Sequence, residues 1–295
     1  MCCGRSSKKA RRSKGRARIK KSVASDIQVQ SLGLKMGKFL LCQPEFYGIN
    51  YSINPWMNVA NGADKNKAIE QWNSLRDKIK ELDAEVELVK PIDGLPDMVF
   101  TANAALITKE GKVIVSHFAH KERSQEEQYF AQWFVDNGYE VIHTSYLFEG
   151  AGDALQFGDV LICGHGFRSD ISFYDHHAVS LGSCGYVKLI DPYFYHLDTC
   201  FCPLDGMDYM IWPGAFDVLD RQLIRHFNGN EIAVPENEAR LFACNAVRIG
   251  RNVILPAGCP TTMQLLSDKG YIPHPLEMSE YIKSGGACKC LTLAI

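Results

Sequence analysis

The sequence of 295 residues lacks any apolar run close to the ~20 residues that cross a bilayer, so no transmembrane helix is predicted. Residues 1–30 also lack the apolar run of a secretory signal. The eleven cysteines are an odd number in a long chain, which does not indicate a disulfide framework. We therefore expect reduced thiols and a cytoplasmic protein.

Acidic side chains are missing from residues 1–21, which hold ten Lys and Arg. The remaining 274 residues therefore contain 22 basic and 34 acidic side chains. Such an acidic body argues against a nucleic-acid surface on the core and favours a cationic substrate.

The segment 1–37 is rich in Ser, Gly, Lys and Arg and is predicted to be a disordered basic tail, with the folded domain covering residues 38–295. A contact of this tail with nucleic acid or an anionic membrane is the alternative to a merely solvated tail. Cys2 and Cys3 beside the basic cluster could be acylated, and the two signals together would form a membrane anchor. Cys2 stands where N-myristoylation requires Gly, so that modification is excluded.

Two amphipathic helices are predicted from apolar residues that recur every three or four positions. The first, residues 64–82, has its apolar stripe at Ala68, Trp72, Leu75, Ile79 and Leu82. The second, residues 122–137, is expected to place Tyr129, Trp133 and Phe134 on one apolar face. Because each helix precedes a short hydrophobic strand, the predicted fold class is α/β.

Four segments share one layout, in which a polar residue is followed by two short apolar strands with a glycine-containing turn between them. Their leading residues, 43 to 50 positions apart, are Asn103, Asp153, Cys202 and Asn245. Such turns are typical of β-hairpins. Hairpins occur in many α/β proteins, but the near-constant spacing indicates an internal repeat.

A fifth unit is predicted across the two ends of the chain. Cys290 stands 45 residues after Asn245 and leads the apolar segment 290–295, which stops before a second strand. The strand-like segment Phe39–Cys42 could supply the missing partner, and such closure removes free sheet edges. Five equivalent strand ends would then converge, so we expect the leading residues or their neighbours to ring a central pocket.

Three clusters contain residue types that can carry chemistry. They are PDMVFTAN at 96–103, FEGAGD at 148–153 with GHGFRSD at 164–170, and YHLD at 195–198 with GGACKCLTL at 285–293. Glycines before a cysteine allow close backbone approach. A cysteine nucleophile needs a polar or cationic neighbourhood, a histidine can shuttle protons, and carboxylates can hold a planar cation.

Together these motifs resemble those of the guanidino-group modifying enzymes of the pentein superfamily, over residues 38–295. The superfamily includes arginine deiminase, dimethylarginine dimethylaminohydrolase, the amidinotransferases and arginine dihydrolase. The segment 51–57 and Asn103 are most similar to arginine dihydrolase. The resemblance implies a pentein catalytic domain, folded as a five-bladed β/α propeller with pseudo-fivefold symmetry, which agrees with the repeats.

The resemblance also implies a catalytic set of four residues. Cys290 resembles the nucleophile that attacks the guanidinium carbon, and His196 resembles the general acid and base. Glu149 resembles the carboxylate that orients the histidine or the guanidinium. Asp198 resembles a carboxylate that grips the guanidinium nitrogens.

Four further residues are implied in substrate binding. Arg168 resembles the partner of the substrate α-carboxylate, and Asp97 a position near the α-amino group. Position 103 is usually acidic in deiminases and dimethylargininases, so Asn103 favours the dihydrolase type, in which Asn54 is implicated as well. An amide both donates and accepts hydrogen bonds, and we expect it to hold a neutral ureido group as well as a guanidinium.

The residue types fit the chemistry of a guanidinium, which is a resonance-stabilised cation whose plane must be fixed near the sulfur. Attack by Cys290, with protonation of the departing nitrogen by His196, would leave a covalent thiouronium that neutral His196 then helps water to hydrolyse. Two rounds on arginine would give ornithine, carbon dioxide and two ammonia molecules, and one round would give citrulline. We expect no cofactor or metal, a small guanidino compound as substrate, and a homo-oligomer.

Each assignment has an alternative: Arg168 could form a surface ion pair, and Asn54, which precedes Pro55, could be a turn residue. Cys288 is the main rival of Cys290 as nucleophile, and Asp153 could serve either the site or its glycine turn. The pairs His117 with His120 and His176 with His177 have metal-like spacing but no third ligand. Dimethylarginine hydrolysis and amidine transfer are the enzymatic alternatives, and a non-catalytic pentein that binds a partner is the alternative from another class.

Overall fold

A computed structural model describes residues 37–205, 208–227 and 229–295, so the predicted tail lies outside the described residues except for Gly37. None of the helices in this part of the chain combines the length and the apolar character needed to span a bilayer. The described strands form five sheets of three strands each, with bounds at Lys38–Cys42 (β1), Glu85–Val89 (β2), Ala105–Ile107 (β3), Val113–Val115 (β4), Val141–Ile142 (β5), Ala154–Phe157 (β6), Val160–His165 (β7), Cys184–Lys188 (β8), Phe201–Pro203 (β9), Asp208–Ile211 (β10), Asn230–Ala233 (β11), Val247–Ile249 (β12), Asn252–Pro256 (β13), Ile272–Leu276 (β14) and Leu293–Ala294 (β15).

Every sheet has the same construction, with an antiparallel hairpin and a third strand that is parallel to the middle one. A helix connects the middle strand to the third strand, as parallel pairing requires. The described α-helices are Lys65–Glu81 (α1), Glu126–Asp136 (α2), Ile171–Leu181 (α3), Val218–His226 (α4), Glu236–Ala239 (α5), Pro260–Asp268 (α6) and Ser279–Ile282 (α7). The α/β class and the internal repeat are therefore confirmed.

The fifth sheet joins the two ends of the described chain. Its strand order is β15-β1-β2, and β15 pairs antiparallel with β1 through Leu40 opposite Leu293 and Phe39 opposite Ala294. This pairing confirms the predicted hairpin between Phe39–Cys42 and the segment after Cys290. Leu40 and Leu293 are both buried in the same apolar cluster, so burial of side chains accompanies the pairing.

Helix α1 follows the sequence prediction closely. The Asp64 side chain accepts a hydrogen bond from the Lys67 backbone N–H at 3.0 Å, which satisfies a donor that the first turn leaves free. Burial of Ala68, Trp72 and Leu75 confirms the predicted stripe.

Helix α2 buries a different face from the one predicted. Phe130 and Phe134, one turn apart, are fully buried, whereas Tyr129 is 37% exposed and Trp133 is half-buried. The helix turns Phe130 into the core with Phe134, and Trp133 lies at the edge, where its indole N–H donates to the Leu88 carbonyl at 3.1 Å.

Short 3₁₀ turns precede the first strands of three units, at Thr101–Asn103, Gly150–Gly152 and Leu197–Thr199. Asn103 and Asp198 lie in these turns, and Glu149 and His196 directly precede two of them. Cys202 was predicted to lead the third unit, but it lies inside β9 with its side chain in the apolar core. Asp198, in the turn before β9, occupies the leading position instead.

Candidate active site

A small cavity lies beside these turns, lined by residues between Ile53 and Cys290. Six of the eight predicted site residues line it, namely Asn54, Asp97, Asn103, Arg168, His196 and Cys290. The other two, Glu149 and Asp198, are buried directly behind it, where they contact His196 and Cys290. The structure thus brings all eight together.

Cys290 is held by the amide of Asn245, the leading residue of the fourth unit. The Asn245 Oδ1 accepts hydrogen bonds from the backbone N–H groups of Ala287 at 3.0 Å and Cys290 at 3.1 Å. Its Nδ2 donates to the Asp198 carbonyl at 3.0 Å and lies 3.1 Å from the Cys290 Sγ. The amide therefore fixes the backbone of Cys290 and places a donor against its sulfur.

The Cys290 sulfur also faces a carboxylate. The two Asp198 oxygens lie 3.6 and 3.7 Å from Sγ, within reach of a thiol donor. Burial raises the pKa of the Cys290 thiol well above its ordinary value, and the Asp198 charge adds to this rise, against the opposing effects of the Ala287 N–H, Lys289 and Asn245. Burial also raises the pKa of Asp198. The surroundings of Cys290 therefore favour the protonated thiol.

Cys288, the rival nucleophile, lies in a different environment. It is fully buried in the apolar cluster that contains Leu41, Phe242 and Tyr281, and it does not line the cavity. Burial raises its pKa as well. The geometry favours Cys290 over Cys288.

Two glycines before Cys290 allow close packing of this segment. A Cβ on Gly285, which has a φ of +81°, would lie 2.7 Å from the Tyr195 hydroxyl oxygen. A Cβ on Gly286 would lie 3.0 Å from the Phe100 ring and 3.1 Å from the Cys290 Cβ. The close approach expected from the sequence is thus present at both positions.

His196 and Glu149 form the other half of the site. The His196 Nε2 lies 2.7 Å from the Glu149 Oε2, and both side chains are almost completely buried. Burial opposes ionisation of Glu149, but the Arg168 guanidinium, the His196 hydrogen bond and Arg123 outweigh it and hold the pKa of Glu149 well below its usual range. An ionised Glu149 therefore orients the imidazole through this hydrogen bond.

Arg168 lines the cavity, but its guanidinium is already paired. Its Nη1 lies 3.2 Å from the Glu149 Oε2, and its Nη2 donates to the Ile53 carbonyl at 2.9 Å. The guanidinium also lies 4.6 Å from the centre of the Tyr195 ring. The sequence-based alternative of a surface ion pair is wrong, because Arg168 is only 4% exposed.

Asp97 has an oxygen that no described residue satisfies. Its Oδ2 accepts a hydrogen bond from the Tyr51 hydroxyl at 2.9 Å, whereas Oδ1 is buried without a partner. Burial raises the pKa of Asp97. Since a buried polar atom without a partner is costly, Oδ1 is a candidate acceptor for a cationic group of a ligand.

Asn54 holds the segment 51–57 against the cavity. Its Oδ1 accepts from the backbone N–H of Trp56 at 2.9 Å, and its Nδ2 donates to the Tyr195 hydroxyl at 3.1 Å and the Ser284 carbonyl at 3.0 Å. The turn role considered from the sequence is therefore present, together with the position in the cavity wall.

Asn103 has less freedom than the sequence suggested. Its Oδ1 accepts a hydrogen bond from the Arg123 Nη1 at 2.8 Å, and its Nδ2 donates to the Glu149 carbonyl at 3.3 Å. Arg123 thus uses one of the two lone pairs of this oxygen, and Glu149 one of the two amide hydrogens, which leaves one acceptor and one donor position for a ligand. Sequence reasoning missed Arg123, since an Arg three residues before Glu126 has the usual pattern of a surface helix pair.

Asp153 supports the site from behind. Its Oδ1 accepts from the Leu197 backbone N–H at 3.0 Å and its Oδ2 from the Ser169 hydroxyl at 2.7 Å. Burial raises its pKa to about 6. Asp153 thus fixes the turn after His196 and does not line the cavity.

The histidine pairs considered from the sequence lie outside the cavity lining. Within the described residues, no group of three His, Cys, Asp or Glu side chains is placed to hold a metal ion.

A cysteine beside a carboxylate and an amide, opposite a His–Glu pair, is the set expected for a hydrolase that acts on guanidino groups. The family model of eukaryotic N,N dimethylarginine dimethylhydrolase matches residues 44–172. The dimethylarginine dimethylaminohydrolase of Mycobacterium tuberculosis is 36% identical over 259 residues, which cover 88% of this chain and 85% of that protein. The chain belongs to the family of guanidino-group hydrolases that includes the dimethylarginine dimethylaminohydrolases and the arginine dihydrolases.

Within this family, the chain is similar to a cyanobacterial protein. The bifunctional arginine dihydrolase/ornithine cyclodeaminase ArgZ of Synechocystis is 43% identical over 267 residues, or 88% of this chain. The match spans only 37% of ArgZ. The crystal structure of the N-terminal domain of ArgZ bound to product superimposes with a TM-score of 0.83 at 42% identity, over 88% of this chain and 97% of that domain. A variant of that domain has been solved covalently bonded to a reaction intermediate.

Proposed function

We propose that the protein is a cysteine-dependent arginine dihydrolase, which converts arginine and two waters to ornithine, carbon dioxide and two ammonia molecules. The observation that carries the proposal is the placement of the Cys290 Sγ, 3.6 Å from Asp198 and 3.1 Å from the Asn245 amide, in one cavity with the His196–Glu149 pair. The similarity to the N-terminal domain of ArgZ supports the choice of arginine. Residues 38–295 would form the catalytic domain, as a five-bladed propeller closed by the β15–β1 hairpin.

The substrate itself would activate the thiol. Burial and Asp198 keep Cys290 protonated in the empty site. A guanidinium that binds against Asp198 brings a positive charge next to the sulfur, which lowers the pKa of the thiol because an opposite charge favours the thiolate. Asn245 then donates to the anionic sulfur, and Asp198 holds the guanidinium plane.

His196 would carry the protons of each round. Attack by the Cys290 thiolate forms a tetrahedral centre, and protonated His196 gives its proton to the departing nitrogen, which leaves as ammonia. A thiouronium remains on the sulfur. Neutral His196 then takes a proton from water, which attacks the same carbon, and collapse of that centre releases the thiolate and citrulline. In the second round the thiolate attacks the ureido carbon, ammonia leaves with the proton of His196, and a thiocarbamate remains on the sulfur. Water hydrolyses the thiocarbamate to the thiolate and a carbamate, which decomposes to ornithine and carbon dioxide.

The other end of arginine would lie towards Asp97, Arg168 and Asn54. The unpartnered Asp97 Oδ1 suits the α-ammonium group. The remaining donors of Arg168 suit the α-carboxylate, although Glu149 already neutralises part of its charge. Asn54 would support the cavity wall through Tyr195 and Ser284.

Hydrolysis of dimethylarginine is the second candidate, because the matching family model and the relative from M. tuberculosis carry that name. The acidic residue usual at position 103 in those enzymes is replaced by Asn103, which favours the dihydrolase.

The test is to incubate the purified full-length protein with arginine or with dimethylarginine and to quantify ornithine, citrulline, ammonia and dimethylamine. We expect two ammonia molecules for each ornithine formed from arginine. Citrulline and dimethylamine from dimethylarginine, with no ornithine from arginine, would establish the second candidate instead. Absence of turnover with both would favour the non-catalytic binding protein.

The location, the oligomeric state and the N-terminal segment concern the protein as a whole. We propose a cytoplasmic homo-oligomer, with the segment 1–37 as a basic tail that can contact anionic membranes. The run of ten Lys and Arg within residues 1–21 supports the tail assignment. Gel filtration with light scattering tests the oligomer, and sedimentation with vesicles containing anionic lipids tests the membrane contact.

A further inference from the structure

A second cavity, of about 200 Å³, lies apart from the active site. Among the described residues, the linings of the two cavities have no member in common. The second lining includes residues of β6, β9, β12 and β15, which are the first strands of four hairpins. Because His196 and Cys290 precede β9 and β15, the second cavity lies further along these strands than the active site.

The lining of the second cavity is mostly apolar, but it contains two cations. Phe39, Leu155 and Phe201 are all buried and contribute apolar surface. Arg248, which is exposed, and Lys289, which is half-buried, contribute the positive charges. An apolar cavity of about 150 Å³ is large enough to hold benzene. The second cavity can therefore hold a compact apolar body together with a small charged group.

Neither cation has an anionic partner within the described part of the chain. The Lys289 Nζ donates to the Thr292 carbonyl at 3.3 Å, and the Arg248 Nη1 donates to the Gly250 carbonyl at 3.2 Å. No salt bridge among the described residues includes either side chain. Burial raises the pKa of the Cys202 thiol to about 12 against the opposing charges of Arg248 and Lys289, so both cations lie near this residue of the wall.

We propose that the second cavity binds a small molecule with one anionic group and a compact apolar body, and that the bound anion acts on the active site through Lys289. The anionic group, a carboxylate or a phosphate, would pair with Arg248 and Lys289, since a guanidinium binds either anion through two hydrogen bonds. The apolar body would pack against Phe39 and Phe201.

Lys289 connects the two cavities because it lines the second one, while its neighbour Cys290 lines the active site. Burial raises the pKa of both Cys290 and Asp198, and the positive charge of Lys289 opposes both rises. An anion beside Lys289 would offset that charge and thereby favour the protonated thiol. The bound molecule would therefore make Cys290 less reactive.

The first test measures binding to the full-length protein by calorimetry. Benzoate and phenyl phosphate place the two anionic groups on the same apolar ring, and benzamide is their neutral counterpart. We expect at least one of the anions to bind with a Kd below about 1 mM and benzamide not to bind in this range. The anion that binds more tightly identifies the ligand as a carboxylate or a phosphate.

Variants locate the binding in the second cavity. Arg248→Gln should raise the Kd of the anion at least tenfold, because it removes one of the two charges. The matched control is Arg251→Gln, since the Arg251 side chain is exposed, pairs with Asp205 at 2.7 Å and does not line this cavity. It should leave the Kd unchanged. Ala294→Phe keeps both cations but fills the cavity, so it should abolish binding.

The second test measures the rate at which iodoacetamide alkylates Cys290, with the label located by mass spectrometry. Saturating anion should lower this rate at least threefold in the wild type and leave it unchanged in Ala294→Phe, which cannot hold the anion. Lys289→Gln should react more slowly than the wild type without ligand and show no further effect of the anion. Lys289→Arg, which keeps the charge, should retain the effect.

Absence of binding by both anions would overturn the proposed site, and so would equal Kd values for Arg248→Gln and the wild type. Binding without a change in the alkylation rate would overturn the link through Lys289. Neither measurement requires turnover of arginine. A protein that forms no ornithine would thus refute the dihydrolase, while both tests of the second cavity keep their meaning.

Discussion

At the scale of single residues, Cys290 carries the clearest prediction. We expect Cys290→Ser to lower kcat for arginine by roughly 10⁴-fold or more, because a serine hydroxyl cannot ionise in this site. The free energy of unfolding should change little. Ornithine release measures the activity, and urea unfolding measures the stability. Mass spectrometry of the wild-type reaction quenched in acid should detect the covalent adduct on Cys290.

Cys288 is the control for this prediction. Cys288→Ala should keep the activity of the folded protein, since its sulfur lies in the apolar cluster outside the cavity. Trypsin cleaves after Lys289 and so separates the two cysteines, and the adduct should be found on the peptide 290–295. An adduct on Cys288, or full activity of Cys290→Ser, would contradict the assignment.

Asn103→Asp tests the role of the amide in catalysis. An aspartate would pair with Arg123, accept from a guanidinium, and have no hydrogen to donate to a ureido oxygen. We expect the products to shift from ornithine towards citrulline by at least tenfold while arginine is still consumed. The ratio is measured by separating both amino acids, and an unchanged ratio would refute this role.

Glu149 and Asp153 are both fully buried, yet their pKa values move in opposite directions. Arg168 and His196 overcome the burial of Glu149 and hold its pKa below the usual 4.5, so its charge stabilises the fold above pH 4.5 and this stabilisation is lost as the pH falls below that value. Burial raises the pKa of Asp153 from 3.8 to about 6, so the folded state loses stability as the pH rises through this interval.

Matched amide variants should show this contrast. Relative to wild type, Glu149→Gln should lower the free energy of unfolding by about 3 kcal/mol at pH 7, the scale of a broken buried pair, and the difference should shrink between pH 5 and pH 3. Relative to wild type, Asp153→Asn should gain stability between pH 4 and pH 7. Urea unfolding across this range measures both, and parallel pH dependence of the two variants would contradict the assignment of their charges.

At the scale of elements, the β15–β1 pair is the one that brings Cys290 into the site. Leu293, three residues after Cys290, is 1% exposed and pairs with Leu40. Leu293→Ala should cost about 2–5 kcal/mol of unfolding free energy, because it leaves a cavity in the cluster around Phe134. It should also lower kcat, because the strand that positions the Cys290 sulfur packs less firmly.

Ala294, the exposed neighbour of Leu293, provides the control. Ala294→Ser, in the same strand but on the exposed side, should change the free energy of unfolding by less than about 0.5 kcal/mol. Urea unfolding measures both variants. Equal effects of the two substitutions would show that the strand does not pack as described.

The repeat could be predicted from the sequence because each hairpin has its own apolar strands and glycine turn. The buried face of α2 could not be predicted in full, because two neighbouring faces of this helix are both aromatic. The four residues concerned are Tyr129, Phe130, Trp133 and Phe134. Cys202 was misplaced because the turn at Leu197–Thr199 lies before the apolar run used to align the third unit.

The same distinction applies to the site. The residue types of Cys290, His196 and Glu149 indicated their chemistry, and the resemblance to a family supplied their roles. The hydrogen bond from Arg123 to Asn103 joins two side chains that form no recognisable motif in the sequence. Only the folded chain brings them together. No periodicity in the sequence encodes such a contact.

At the scale of the whole molecule, the segment 1–36 lies outside the repeats. We expect its removal to leave kcat/KM for arginine within about twofold of the full-length value, because residues between 53 and 290 form the described lining of the cavity. Steady-state assays of both proteins measure this. A loss above tenfold, equivalent to about 1.4 kcal/mol of transition-state stabilisation, would show that the segment belongs to the site.

The hairpin between β15 and β1 also bears on the synthesis of the protein. A nascent chain that has reached residue 289 contains four complete hairpins, but neither the proposed nucleophile nor the strand that pairs with β1. Domains generally fold as units, so this molecule would remain inert until its last strand has been made. It would acquire activity in a single step when residues 290–294 leave the exit tunnel, and a truncated product of interrupted translation would consume no arginine.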